Sequence, residues 1–272
     1  MGYRYTKLLM SKRFALLFLV QLCAIQLRAQ TWEVGGFVGT SGYMGDLNSN
    51  GISQFTNMAF GGQVKRNFDP YWSAKLNFVQ GTILASDANS SSVNQQNRKL
   101  SFYSPISELS LQVEFNFLYY LAGISRNRIT PFLFTGVGAF KFNPKVDISG
   151  GGIANTFLLN DYLTEGQTKP YKTLAMSIPY GIGVKYNIKS TWNLNAEIGY
   201  RTAYTDYLDD VSMNYPTDLS TRPYLSQLLS DPSGMAPNGG QRGDYRKRDT
   251  YMFAGLSLTY TFVSRKCPVV GN

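Results

Sequence analysis

The stretch Ser107-Glu108-Leu109-Ser110-Leu111-Gln112-Val113-Glu114-Phe115-Asn116-Phe117 decides the fold. Leu109, Leu111, Val113, Phe115 and Phe117 occupy alternate positions, so an extended chain puts all of them on one face and Glu108, Ser110, Gln112, Glu114 and Asn116 on the other. The same period of two recurs in Ile178 to Ile188, Trp192 to Arg201 and Tyr251 to Phe262. Trp32 to Tyr43, Met58 to Phe68, Tyr71 to Leu84 and Thr130 to Phe142 follow it less cleanly. The facing of the last stays open, because Phe132, Phe134, Phe140 and Phe142 share a side with Gly136 and Gly138.

Segments of about ten residues, apolar on one side, small or polar on the other and tipped with aromatics, are the pattern of strands that cross an outer membrane. Asp69-Pro70, Lys189-Ser190 and the modest link Tyr119 to Ile129 alternate with four longer links, near Met44 to Asn57, Ala85 to Lys99, Asn143 to Thr173 and Thr202 to Thr250. The predicted fold is therefore all-β: an eight-stranded antiparallel transmembrane β-barrel with short periplasmic turns and long outer loops. A soluble sandwich or lipocalin-like barrel would turn its polar face to water. The polar faces here are rich in Gly, Ser and Asn with few charges, which disfavours that alternative.

The chain has 272 residues and a formal net charge of +9. Arg4, Lys7, Lys12, Arg13 and Arg28 all precede the first acid, Glu33, and frame an apolar run from Phe14 to Leu22 that closes on Leu27-Arg28-Ala29. A basic start, a short apolar run and a small residue at the end predict a signal peptide over 1–29, cleaved before Gln30. The barrel is then expected over 30–263 and a periplasmic tail over 264–272. Removing the five leader cations leaves a surplus of four, too diffuse to imply nucleic acid.

Histidine is absent, which excludes Ser-His-Asp and Cys-His triads and His-ligated zinc. No enzymatic activity, cofactor or metal is expected. Asp206, Asp209, Asp210, Asp218, Asp244 and Asp249 cluster in the last long link, but their spacing matches no calcium loop and they are expected to be solvated. Arg242-Gly243-Asp244 spells an adhesion tripeptide that turn chemistry also explains. Cys267 is the single thiol beyond the leader, with no role assigned.

On the polar faces, Glu33, Lys65, Lys75, Glu108, Glu114, Lys185, Glu197 and Arg201 point to the barrel interior. Four acids and four bases in a lumen just wide enough for side chains should pair as an ion-pair network rather than line a wet channel.

Met44-Gly45-Asp46-Leu47-Asn48, Tyr204-Thr205-Asp206-Tyr207-Leu208-Asp209-Asp210-Val211, and Gln241-Arg242-Gly243-Asp244 leading into Asp249-Thr250-Tyr251-Met252-Phe253 resemble the PorG-type outer-membrane proteins of the type IX secretion system, found in Bacteroidota. The resemblance spans nearly all of the chain beyond the leader and weakens around Tyr224 to Asn238 and after Phe262. It implies a non-enzymatic barrel that associates with a periplasmic ring of a PorK or GldK type lipoprotein and its PorN or GldN type partner, serving protein export and, in some members, gliding motility. The other partner is outer-membrane lipid. If the resemblance holds, contacts with the ring fall to the periplasmic parts: Gln30 to Glu33, Asp69-Pro70, Arg126 and Arg128, Lys189-Ser190, and the tail with Arg265, Lys266 and Cys267. The alternatives are a small transport or ligand-binding barrel and an adhesin acting through its outer loops.

Overall fold

The structure is a computed structural model that describes residues 31–48, 55, 57–122, 125–150 and 153–263. The expected export signal and the tail after Val263, with Arg265, Lys266 and Cys267, lie outside the described residues. Among the described residues ten strands form one sheet: β1 (Thr31–Met44), β2 (Asn57–Asn67), β3 (Trp72–Ser86), β4 (Ser101–Asn116), β5 (Ile129–Phe142), β6 (Lys145–Gly150), β7 (Ile153–Leu158), β8 (Leu174–Lys189), β9 (Trp192–Ala203) and β10 (Thr250–Phe262). Eight of them close on themselves through antiparallel neighbours, because β1 pairs with β10 from Trp32↔Phe262 to Met44↔Thr250 and β3 pairs with β4. Closure removes every edge of the barrel, which is what a sheet in hydrocarbon requires.

Each expected strand is present within a few residues, and β4 runs six residues further back than expected, to Ser101, because Ser86 and Ser101 still pair. The connections take the shapes their residues dictate. Asp69 Oδ1 accepts from the backbone N–H of Tyr71 and Trp72 at 2.7 and 2.8 Å, an Asx-type turn between β2 and β3. Between β8 and β9, Ser190 takes a positive φ of 48° in a tight turn closed by the pair Lys189↔Trp192.

The link Asn143 to Thr173, expected as a loop, instead contains the hairpin β6–β7, joined to β4 at Tyr103↔Lys145. Val146 and Ile148 pack on the buried core, so the period of two persists here outside the membrane. Two short helices, α1 (Val93–Arg98) and α2 (Tyr224–Ser230), lie in the second and fourth long links.

The outer wall exposes Val34, Val38, Phe60, Val64, Leu76, Phe78, Leu109, Leu111, Val113, Leu133, Ile182, Leu256 and Leu258. So large a continuous apolar surface is stable only against lipid. At the short-turn end it finishes in a belt of rings, with Trp72 against Phe115 at 4.9 Å and Trp192 against Tyr260 at 5.2 Å between centroids.

The open question of β5 resolves inward: Phe132, Phe134, Phe140 and Phe142 are all buried in the barrel, and Leu133 and Val137 face lipid. Glycines make the room. A Cβ on Gly183 would lie 2.5 Å from the Phe132 ring, and one on Gly199 would lie 2.5 Å from that of Phe134.

Candidate functional site

The structure places all eight lumen candidates inside the barrel. Six join in one network toward the short-turn end. Glu114 accepts from three lysines, Lys185 at 2.7 Å, Lys75 at 3.1 Å and Lys65 at 3.4 Å. Lys65 also meets Glu33 at 3.0 Å, and Lys75 meets Glu197 at 3.0 Å. The lysine heads lie over rings, Lys185 over Phe132 at 4.6 Å and Lys75 over Phe134 at 4.9 Å. The remaining two, Glu108 and Arg201, face each other at 3.4 Å higher in the barrel, where Tyr251 donates its hydroxyl to Glu108 at 2.6 Å. Asn67, Asn116 and Asn193 complete the polar tier, so charged groups removed from water keep partners.

Above this tier the lumen is mainly apolar, with small polar groups such as Ser41, Ser104 and Ser177 between the rings. Phe37, Phe102, Ile106, Phe140, Phe142, Tyr251 and Phe253 fill it and merge with Leu47, Leu208, Val211 and Leu229 of the long links. At the opposite mouth Tyr120, Leu121 and Ala122 of the modest link fold inward, and the Tyr120 hydroxyl donates to Asn193 at 2.7 Å. Among the described residues, side chains thus occupy both ends of the lumen and the tiers between them.

The three motifs of the long links come together as a cap over the barrel. Asp46 Oδ1 accepts from the Asp244 N–H at 2.8 Å, and the Tyr43 hydroxyl donates to Asp209 at 2.5 Å and Asp249 at 3.4 Å. Asp249 in turn accepts from the Leu208 N–H at 3.0 Å. Gly243 passes so close to the Ser212 carbonyl and Asp46 that a Cβ there would collide.

Two arginines bind the cap. Arg242 meets Glu165 at 3.2 Å and Asp210 at 3.3 Å and donates to the Asp210 carbonyl. Arg98 clasps Asp87 with two bonds of 2.8 Å and reaches the carbonyls of Asp46 and Arg242. Asp210 also accepts from Tyr171 at 2.7 Å and Thr164 at 2.5 Å. Between the links lies a cavity of about 270 Å³, walled by Leu47, Leu100, Val146, Leu159 and Leu229.

The expectation of solvated acids is overturned for part of the cluster. Asp209, Asp210 and Asp249 are buried, because donors distant in sequence converge on them, whereas Asp218 stays exposed beside Arg222; Asp46 of the first long link is buried with them. Burial among like charges pushes the Asp46 carboxyl up to about 9, and burial pushes Asp209 up to about 7 and Asp206 up to about 6. Burial also raises Asp210 and Asp249. The adhesion tripeptide is unavailable, since the Arg242 side chain is only 1% exposed and already paired. Arg98 and Asp87 of the second long link and Glu165 and Tyr171 of the third carry no signal in the sequence, since their spacing spells no motif. Arg126 and Arg128 are exposed at the short-turn end.

The family model described as a domain of unknown function, DUF6089, matches residues 11–223. The chain belongs to the DUF6089 family. No curated protein matches it. Among solved structures it is similar to the N-terminal β-barrel domain of Pseudomonas aeruginosa OprF, at 12% identity and TM-score 0.38, over 85% of this chain and 97% of that one. It is also similar to Neisserial surface protein A, at 10% identity and TM-score 0.40, over 86% and 100%. A third is the outer membrane protein OprG from Pseudomonas aeruginosa, at 11% identity and TM-score 0.41, over 87% and 97%.

Proposed function

We propose that this member of the DUF6089 family is a non-enzymatic outer-membrane barrel of the type IX protein secretion system, a scaffold that docks on the periplasmic ring lipoprotein and, in organisms that glide, serves motility as well. The observation that carries the scaffold reading is the occupied interior: among the described residues the Glu114 network in the lower lumen, the aromatic tier above it and Tyr120 at the short-turn mouth all crowd the lumen. A lumen so crowded favours a barrel that acts through its surfaces.

The choice of this secretion system rests on the resemblance in Met44–Asn48, Tyr204–Val211 and Gln241–Asp244. Those segments pack into one hydrogen-bonded cap, which supports treating them as a single structural feature. The ring contact is assigned to the periplasmic end, where Arg126 and Arg128 are exposed, together with the tail through Arg265 and Lys266.

The test is purification of the tagged full chain from outer membranes in mild detergent, with the accompanying proteins identified by mass spectrometry. The ring lipoprotein and its partner are expected, and in lower yield after deletion of 264–272 or replacement of Arg126 and Arg128 by Glu. Recovery of an intact ring without this chain, and of this chain without ring proteins, would overturn the reading.

A further inference from the structure

The outward row of β8 is longer than a membrane needs. From Ile188 through Tyr180 to Met176 and Leu174 it covers roughly 45 Å of strand at about 3.3 Å per residue, or about 35 Å along the normal at a tilt near 40°. An apolar barrel belt is only about 25 Å tall. Met176 and Leu174 therefore stand beyond the hydrocarbon at the long-loop end, yet they are 61% and 66% exposed.

Cations gather around them. Lys141 of β5 is in register with Leu174 and exposed, and Lys172 is exposed just before β8, where the Phe142 N–H bonds the Thr173 carbonyl at 2.9 Å. On the other side the Tyr204 N–H bonds the Met176 carbonyl at 2.9 Å, and Arg248 lies over the Tyr204 ring at 4.3 Å. Among the described residues no carboxylate lies within ion-pair distance of Lys141, Lys172 or Arg248. The upper outward positions of β3 and β4 carry Gln80, Thr82, Ser107 and Ser101, with no charge.

We propose that the arc β5–β8–β9–β10 binds the phosphorylated headgroup of an outer-leaflet lipid, with Lys141, Lys172 and Arg248 on the phosphates and Leu174, Met176 and Tyr204 against the adjoining apolar and sugar faces. Three features select a lipid over a soluble anion or a protein. The arc is continuous with the lipid-facing wall below it, it lies at the height of the headgroups, and its cations are interleaved with exposed apolar side chains rather than grouped in a polar pocket.

The experiment uses the full chain in phosphatidylcholine vesicles that contain a minor fraction of diphosphorylated lipid A, and native mass spectrometry counts the lipid A retained on the released barrel. Wild type is expected to retain it and to prefer it over dephosphorylated lipid A. The K141Q/K172Q/R248Q variant is expected to lose affinity by roughly a hundredfold, about fivefold per cation. Heat-modifiable electrophoretic mobility checks that the variant is folded; should it not fold, the single variants K141Q and R248Q, each expected to lose about fivefold, decide the matter. Equal retention by wild type and variant, equal binding of dephosphorylated lipid A, or displacement by free inorganic phosphate at comparable concentration would each overturn the proposal.

Discussion

Tyr43, buried at the long-link end of β1, donates its hydroxyl to Asp209 of the fourth long link at 2.5 Å, a bond between residues 166 positions apart. Asp249 shares the same hydroxyl at 3.4 Å. The bond joins the rim of the barrel to the cap, so the cap is an extension of the folded wall and not a set of independent loops.

Tyr43→Phe deletes that hydroxyl without changing the ring, which packs edge-on against Phe102 at 5.1 Å. A buried hydrogen bond to a carboxylate is worth roughly 1.5–3 kcal/mol. Hydrogen exchange across 204–249 is expected to accelerate by about tenfold or more, with the β1 and β10 amides below the rim unchanged. Equal acceleration throughout the barrel would show that the bond is not local to the cap.

Arg242 is the second anchor, and its loss should be costlier. Arg242→Ala strands Asp210 and Glu165, two buried acids that it pairs. Breaking a buried ion pair from one side costs about 3–5 kcal/mol. Lys in its place offers no planar fork and cannot reach Glu165, Asp210 and the Asp210 carbonyl together, so R242K should rescue little. Proteolysis within 204–249 while the barrel core stays intact is the readout.

The pH response of the cap follows from its acids. Asp46 and Asp209 hold their protons in the folded state up to about 9 and about 7, well above an ordinary aspartate. The folded cap therefore binds more protons than the unfolded one between the ordinary aspartate value near 4 and about 9, and its stability falls as pH rises through that window. Protection of 204–249 is expected to be greater at pH 5 than at pH 9.5. Asp46→Asn keeps an acceptor for the Asp244 N–H and should flatten the upper part of the curve. An undiminished fall in D46N would assign the effect to Asp209 and Asp249 instead.

The barrel was legible because lipid and lumen impose a period of two that each strand carries alone. The inward set Glu33, Lys65, Lys75, Glu108, Glu114, Lys185, Glu197 and Arg201 follows from parity, with no knowledge of neighbours. The β5 row was not legible on those terms, since Phe132 and Leu133 are both apolar; what turns Phe132 inward is the space above Gly183 on the neighbouring strand. The cap was opaque for the same reason on a larger scale. Asp209, Asp210 and Asp249 look solvated in sequence because Tyr43 comes from β1, Thr164 and Tyr171 from the third long link, and Arg242 from 32 residues beyond Asp210 in the same link. The hairpin β6–β7 likewise depends on β4, which lies more than forty residues earlier at Tyr103.

Glu114 offers the sharpest test of the filled lumen. It is buried and is the common partner of Lys65, Lys75 and Lys185, so its charge balances three ammonium groups whose other acidic partners among the described residues are Glu33 and Glu197. Glu114→Gln preserves volume and one acceptor oxygen and removes the charge. Three crowded lysines with two remaining acids should then destabilise the barrel by about 3–5 kcal/mol, read as a lower urea midpoint for refolding in lipid vesicles. Replacing Glu114 together with Lys185 by Gln and Met removes one charge of each sign and should recover part of that loss, because the balance of the network is restored. Wild type is expected to give no resolved conductance steps in planar bilayers. Steps seen only in E114Q would mean that the network keeps water out of the lower lumen, whereas steps in wild type would contradict the filled interior on which the scaffold reading depends.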